Sequence, residues 1–407
     1  MTPDSDTLLA GLLALLAGLA IGKAWERYKL HDGRWFDRRK ARETPHYMLG
    51  LNFLVAGQVD LAIAELSRAA AADTDALEID LILGNLYREK GQIGRAIQIH
   101  QNLLQRPKLK RLEHAYALLC LGLDYKSGGF VDRAVEAFNE VLRLDANNEY
   151  ALANLEKLHE EQHQWREAYE TRRRLAHAGR SADRPRHGAV LAFLENELGL
   201  DALNTQDLKS AAERFAAAIE LDAGTVPAYL HLGDVYLRQG RQVEAASVWE
   251  RGVAVSPDRA YLAFERLEAV YSALGTPERF PALCRQLAAA APQDWRSRLA
   301  LASHLTDHGK PAEAITLLFE ALSSNPHGVA VHRAIWKTLR QTGLDPALVD
   351  GYVALVDRAI FYVVPHVCVR CRYRSTELLW HCPHCHEWNS FVEERIAAAK
   401  DPDEAIG

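Results

Sequence analysis

Apolar positions follow a helical spacing through most of the chain, and they recur in a repeating unit. Each unit begins with a Leu-Gly pair and continues with a large apolar residue, a second Gly and a small Ala, and the first two copies place Gly50 and Gly84 34 residues apart. Apolar residues at i, i+3, i+4 and i+7 predict amphipathic helices. The second Gly predicts the turn between two helices, because the end of a helix favours a residue that tolerates positive φ. The pattern therefore predicts an all-α fold of helix-turn-helix units over residues 44–328.

A helix-turn-helix period of this length, with this signature, is typical of tetratricopeptide repeats. The clearest copy starts at Leu232-Gly233 and has its small residue at Ala245. We expect about eight repeats, curled into a superhelix whose concave groove binds protein segments. Residues 329–364 predict a further helical pair that caps the array. The weaker copies centre on Ala168, Ala211, Phe280 and Ala314.

Two features inside the array have a structural and a functional interpretation. Residues 177–188 carry three Arg, one Pro and two Gly, which predicts a loop between repeats four and five. This loop is a solvated connector, a hinge or a binding loop, and the first interpretation is favoured. His100, His159 and His231 lie at repeat positions, where we expect packing or surface roles rather than metal ligation.

The N-terminus predicts a membrane anchor over residues 1–25, followed by a basic neck over residues 26–43. Leu8 to Gly22 is an uncharged apolar run, and Thr7, Ala24 and Trp25 can extend it because Lys23 can snorkel to the interface. Asp4 and Asp6 precede the run, whereas the positive charges follow it, which disfavours a cleaved signal peptide. The positive-inside rule then places the short N-terminus in the periplasm and the rest in the cytoplasm. A cleaved signal and a buried core helix remain the alternatives, and the neck either sets topology or lies on anionic headgroups.

Four cysteines near the C-terminus predict a metal site. They are spaced Cys-x2-Cys-x10-Cys-x2-Cys within a domain at residues 365–392, which a tail at 393–407 follows. Two such turns can direct four thiolates at one ion, and a closed four-sulfur shell is typical of a structural site. The ligands are Cys368, Cys371, Cys382 and Cys385.

The identity of the metal stays open between iron and zinc. Pro383 after Cys382 is rubredoxin-like, but Arg372 and His386 stand where rubredoxin knuckles usually have Gly. His381 and His384, like His386, are surplus to a filled shell. A mini-core is expected around Tyr373, Leu379, Trp380 and Trp388.

Charge, motif content and cysteine placement exclude several functional classes. The net charge of -6 argues against a nucleic-acid-binding protein, and the sequence contains no phosphate loop or nucleophile elbow. We therefore expect a protein without enzymatic activity, with no catalytic or organic-cofactor residues. The remaining cysteines, Cys120 and Cys284, sit singly in apolar patterns, which favours a reducing compartment and two small packed side chains.

The order of anchor, neck, repeats and knuckles resembles the lipopolysaccharide assembly protein B (LapB) family of Gram-negative bacteria. The resemblance covers essentially the whole chain. Its most specific stretches are GLNFLVAGQ (50–58), LGNLYREKGQIGRAIQIHQ (83–101), LGLDYKSGGFVDRAVEAFNEVL (121–142) and LLWHCPHCHEW (378–388).

The resemblance implies a single-pass protein of the bacterial inner membrane, with repeats and metal domain in the cytoplasm. It implies an adaptor that works with the membrane protease FtsH to bring about degradation of the LpxC deacetylase and so limits lipopolysaccharide synthesis. Other inner-membrane regulators would meet the membrane helix. The family also implies that the four cysteines are the metal ligands, favours a rubredoxin-type iron site, and has its knuckles packed against the repeats.

Two other hypotheses compete with the adaptor. One is a rubredoxin-like electron carrier on a repeat scaffold. The other is a nucleic-acid-binding zinc ribbon, supported only by Arg370, Arg372 and Arg374 around the first knuckle. The sequence leaves homo-oligomerisation and the groove residues that bind each partner open.

Overall fold

The computed structural model describes residues 45–72, 76–107, 109–178, 184–325, 328–342, 350 and 366–394. The anchor predicted at 1–25, the neck at 26–43 and all but the first two residues of the tail lie outside the described residues. Among the helices of the described part, none combines the length and the apolar character needed to span a bilayer.

Helices make up nearly all of the described chain before residue 343, with one 3-10 helix at Pro257–Ala263. The α-helices are α1 Pro45–Val55, α2 Val59–Ala72, α3 Leu77–Glu89, α4 Ile93–Leu104, α5 Arg111–Ser127, α6 Val131–Leu144, α7 Glu149–Glu161, α8 Trp165–Ala178, α9 Arg184–Asn204, α10 Leu208–Leu221, α11 Val226–Arg238, α12 Gln242–Val255, α13 Phe264–Ala273, α14 Arg279–Ala290, α15 Trp295–Asp307, α16 Pro311–Ser324 and α17 Val329–Arg340.

The chain divides into two compact units between Leu158 and His159. In the first unit, α1 packs on α2, α3 on α4 and α5 on α6. In the second unit, the same pairing joins α9 to α10, α11 to α12, α13 to α14 and α15 to α16. These are the helix-turn-helix units that the 34-residue period predicts.

The glycine after each Leu allows the two helices of a pair to touch. A Cβ atom added at Gly84 would lie 2.3 Å from the His100 ring, and one at Gly122 would lie 2.7 Å from the Phe138 ring. No side chain fits at such distances, so the pattern requires Gly here. His100 therefore packs against the glycine of its repeat as Phe138 does in the next repeat. It is fully buried, and its Nδ1 lies 2.5 Å from Asp124.

The turn position explains why some repeats match the signature weakly. Gly91 and Gly240, each five residues before the packing Ala, have φ of 74° and 77°. In the fourth and fifth repeats, His163 (φ 56°) and Gln206 (φ 62°) occupy this position. The backbone conformation is thus kept although the residue that favours it is absent.

Two boundaries differ from the sequence prediction. The loop predicted at 177–188 is shorter, because α8 continues to Ala178 and α9 already begins at Arg184, while residues 179–183 lie outside the described residues. Of the capping pair predicted at 329–364, the structure describes its first helix, α17.

The cysteine-rich segment adds the β-structure of the described chain. Its strands are β1 His366–Cys368, β2 Arg374–Ser375 and β3 Phe391–Glu393. They form an antiparallel sheet in the order β2-β1-β3, and Cys368 pairs with Phe391 across it. The all-α class therefore holds for the repeats and not for this domain.

Candidate metal centre

Two turns with the same backbone pattern hold the four cysteines. The amide of Arg372 donates to the Cys368 carbonyl and that of His386 to the Cys382 carbonyl, each at 2.9 Å. Cys368 and Cys382 in turn donate their own amides to carbonyls five residues ahead. The two Cys-x2-Cys segments are therefore equivalent knuckles.

The residues that replace the usual knuckle glycines keep the glycine conformation. Arg372 has φ 64° and His386 has φ 54°. A non-glycine residue in the left-handed region costs of order 1 kcal/mol, so the surrounding structure must hold both residues there. The departure from the rubredoxin pattern thus changes side chains without changing the turn.

The knuckles bring all four predicted ligands together. Their Sγ atoms lie within 4.8 Å of one another, and the Cys368–Cys385 and Cys371–Cys382 sulfur pairs are 3.6 Å apart. Tetrahedral coordination with metal–sulfur bonds of about 2.3 Å separates the sulfurs by about 3.8 Å. The residues therefore fit one zinc or iron ion with four sulfur ligands, and the geometry does not distinguish the two metals.

The electrostatics of the four thiols favour a bound cation. Burial raises the pKa of Cys368, but hydrogen bonding with the Ser390 hydroxyl and with the amides of Cys371 and Arg370 outweighs burial and lowers the pKa to about 6. Burial and the neighbouring thiols raise the pKa of Cys385 to about 12. Four thiols this close to one another cannot all ionise in the absence of a cation, because the thiolates would repel one another. Full deprotonation therefore requires a bound cation.

Ser390 is a residue of the centre that the sequence pattern did not reveal. It is buried, its Oγ lies 3.3 Å from Cys368 Sγ, and its carbonyl accepts the Val369 amide at 2.9 Å. Hydroxyl and amide donors around a metal-bound sulfur tune the site and orient the ligand. The signal was weak, since a Ser five residues after the last Cys belongs to no metal-binding spacing.

The core of the domain differs from the expected one. Phe391 packs with the buried Cys368 and Cys382, and Leu379 joins them as expected. Tyr373 is 41% exposed, so its placement in the core was wrong. Trp380 and Trp388, also predicted in the core, contact the repeats instead. The metal-binding sulfurs themselves fill the centre of so small a domain, and the tryptophans are left to pack outward.

Trp388 makes aromatic and hydrogen-bond contacts with the repeats of the second unit. Its indole stacks on Phe193 with ring centroids 5.3 Å apart and meets Trp165 edge-on at 6.3 Å. Its Nε1–H donates to Glu160 Oε1 at 3.0 Å, and Glu160 is almost fully buried. His381 Nε2 lies 3.4 Å from the other Glu160 oxygen. The packing against repeats that the family resemblance implies is present here.

Two arginines of the repeats also contact the domain. Arg259 donates to Asn389 Oδ1 at 2.5 Å and lies over the Trp380 ring at 5.1 Å. Arg296 donates to Glu393 Oε2 at 2.6 Å. Contacts from four separate repeats, which include those to Trp388, therefore fix the domain's orientation.

The arginines of the first knuckle are engaged by acids. Arg370 pairs with Glu387, while Arg372 and Arg374 pair with Glu394. The surplus histidines also have neighbours, since His386 Nε2 lies 3.3 Å from Glu161 and His384 stacks with Tyr373.

The two remaining cysteines lie apart from the centre. Burial raises the pKa of Cys120 to about 11 and that of Cys284 to about 12. Both are thus neutral thiols, and Cys284 is the fully buried one.

The fold and the site define a tetratricopeptide-repeat protein with a rubredoxin-type four-cysteine domain. Family models agree: one described as a rubredoxin metal binding domain matches residues 366–393, and one described as a tetratricopeptide repeat matches residues 47–107 and 196–261.

Two curated proteins resemble this chain over nearly its full length. The chain is 25% identical over 382 residues to lipopolysaccharide assembly protein B of Escherichia coli (strain K12), across 93% of this chain and 97% of that protein. It is 23% identical over 393 residues to lipopolysaccharide assembly protein B of Haemophilus influenzae, with the same coverage. The crystal structure of MamA protein matches 45% of this chain and 93% of its own, with 20% identity and a TM-score of 0.32. The predicted resemblance to the lipopolysaccharide assembly protein B family is thereby confirmed.

Proposed function

We propose that this chain is an inner-membrane adaptor that limits lipopolysaccharide synthesis by promoting FtsH-dependent proteolysis of the LpxC deacetylase. The observation that carries the proposal is the similarity to lipopolysaccharide assembly protein B along nearly the full length of both chains. The family resemblance supplies the two partners, FtsH and LpxC.

The chemistry of the centre supports an adaptor rather than an enzyme. Four thiolates fill a tetrahedral shell and leave no position for substrate or water. The domain is fastened to the repeats through Trp388, Arg259 and Arg296, as a structural part would be. Repeat surfaces, not a reaction centre, would then do the work of binding partners.

The anchor belongs to the same proposal. The apolar run Leu8–Gly22, with its positive charges on the C-terminal side, is the basis for a membrane helix with a periplasmic N-terminus. Confinement to the membrane would raise the effective concentration of the adaptor beside a membrane protease. The same helix would meet other membrane regulators of the pathway.

The test is the cellular half-life of LpxC with this chain present, depleted, and restored. Depletion should lengthen the half-life, and restoring the full chain should shorten it again. A version without residues 1–24 should accumulate as folded protein and fail to shorten it. An LpxC half-life that does not respond to depletion would refute the proposed function, while full rescue by the truncated chain would refute only the role of the anchor.

An electron carrier is the second candidate, and the partial exposure of Cys371 and Cys385 favours it, because electrons reach a rubredoxin-type iron through exposed sulfur. The decisive measurement is the visible spectrum of protein purified from cells. A red, reversibly reducible centre is required; a colourless zinc protein excludes electron transfer.

A further inference from the structure

Three successive first helices carry an aromatic residue at the same register. Tyr116 on α5, Tyr150 on α7 and Phe193 on α9 each lie eighteen residues before the packing alanine of their repeat. These alanines are Ala134, Ala168 and Ala211, all fully buried. Equal register places the three aromatics on the same face of their respective repeats.

The structure shows what one of these positions binds. In the second unit, Phe193 is 2% exposed, because Trp388 stacks on it and Trp380 lies 6.3 Å from it, ring centroid to ring centroid. In the first unit, Tyr116 is 52% exposed and Tyr150 is 75% exposed. The same register position is thus covered by tryptophans in one unit and solvent-exposed in the other.

Polar side chains on α5 and α7 accompany the two tyrosines. Asn154 donates to the Tyr150 carbonyl at 2.9 Å, and Lys126 donates to Asn154 Oδ1 at 3.4 Å. Lys157 lies two turns beyond Tyr150 and is exposed. We call these five residues the tyrosine face: Tyr116, Lys126, Tyr150, Asn154 and Lys157.

The charge of this face is opposite to that of the covered site. Lys126 lies eight residues before the packing alanine of its repeat, and Glu160 has the same register in the next repeat. Glu160 is a carboxylate that accepts the Trp388 N–H and lies beside His381. At Phe193, the Glu160 carboxylate lies next to an aromatic side chain and a basic or hydrogen-donating group. The tyrosine face carries Lys126 at that register, so it fits an aromatic side chain next to a carboxylate.

We propose that the tyrosine face binds a segment of a protein partner that presents an aromatic side chain flanked by Asp or Glu. The inference rests on the proposed adaptor function and specifies the chemistry of one partner. Stacking on two tyrosines supplies the affinity, and Lys126 and Lys157 supply the preference for acidic neighbours. Single-stranded nucleic acid also combines rings with negative charge, but the net charge of -6 disfavours it.

The experiment is a selection of random dodecapeptides displayed on phage, performed on the metal-loaded full chain in detergent micelles. Enriched peptides are synthesised, labelled, and titrated against the parent and variants by fluorescence anisotropy. We expect enriched peptides to place Trp, Phe or Tyr within three residues of Asp or Glu. Tyr116→Ala combined with Tyr150→Ala should weaken them about tenfold, since two aromatic contacts of about 0.5–1.5 kcal/mol are lost.

Matched variants separate the contact from general damage. Tyr116→Phe with Tyr150→Phe keeps both rings and should retain affinity, and Phe319→Ala removes an aromatic that is 56% exposed on α16 and should change nothing. Lys126→Glu with Lys157→Glu should reverse the preference for acidic peptides. Enrichment of no peptide, enrichment of peptides without aromatics, equal binding to the double Ala variant, or displacement by a single-stranded oligonucleotide would each overturn the proposal.

The two proposals fail separately. If the double Ala variant loses the peptides and still shortens the LpxC half-life, the tyrosine face stands as a binding surface and LpxC degradation does not use it. If the LpxC half-life does not respond to the parent chain at all, the adaptor function fails whatever the peptides do.

Discussion

Replacing Trp388 should release the metal domain from the repeats without removing the metal. The indole makes two aromatic contacts, with Phe193 and Trp165, each of about 0.5–1.5 kcal/mol. Its hydrogen bond to the buried Glu160 carboxylate contributes about 1.5–3 kcal/mol. Trp388 is only half-buried, so we expect Trp388→Ala to weaken docking by about 3 kcal/mol, or roughly a hundredfold.

Hydrogen-exchange mass spectrometry of the full chain measures this directly. Amides of residues 380–391 should exchange faster in Trp388→Ala, because the undocked state is visited more often. Bound metal, determined by elemental analysis, should stay at one ion per chain, since no metal ligand is changed.

The matched control is Trp388→Phe. It keeps a ring against Phe193 but removes the N–H that Glu160 accepts, so its exchange should fall between the parent and Trp388→Ala. Unchanged exchange in Trp388→Ala would refute the reasoning, because it would mean that the indole contributes no net docking energy. Loss of metal in Trp388→Phe would show instead that the residue supports the knuckle.

Three further perturbations probe the centre, the repeats and a buried acid. Replacing Cys382 and Cys385 with Ser should abolish metal binding, and unchanged metal content in the double variant would refute the ligand assignment. Gly233→Ala should destabilise the folded protein by about 1–3 kcal/mol and lower its thermal midpoint, since the new Cβ would lie 2.2 Å from the Trp249 indole. Gly94→Ala is the control, because its Cβ would meet nothing within 4 Å and the midpoint should not fall. Burial raises the pKa of Glu197 to about 7, so the folded state binds the proton more tightly than the unfolded state and stability falls as pH rises from about 4.5 to 7. Glu197→Gln should remove that part of the pH dependence in urea titrations; an identical pH profile in the variant would contradict the shifted pKa.

The repeat architecture was predictable because its constraints are local in sequence. Gly84 and Gly122 are fixed by contacts within one helix pair, so the signature recurs at a constant period. The four cysteines were predictable for the same reason, since coordination fixes short spacings. The left-handed conformations of Arg372 and His386 were not, because the metal-site turn imposes them against residue preference.

Contacts between distant segments lay beyond the sequence pattern. Trp388 and Glu160 are 228 residues apart, and periodicity carries no information on such pairs. The tryptophans were assigned to the mini-core because a large apolar residue near a small domain predicts its interior. The residues that the two tryptophans contact lie in the repeats, so the sequence of the knuckles alone does not predict these contacts.

The docking contact is built on the second knuckle itself, because Trp388 follows Cys385 by three residues. Ion binding that orders this knuckle also forms the surface that meets Phe193 and Glu160. By thermodynamic linkage, docking must then increase the affinity for the ion by the same factor by which the ion strengthens docking. The excised domain should therefore bind its ion more weakly than the intact chain, and chelators should extract the ion faster from any variant that docks poorly. Ion retention in the full protein is thus a property shared between two parts of the chain that are far apart in sequence.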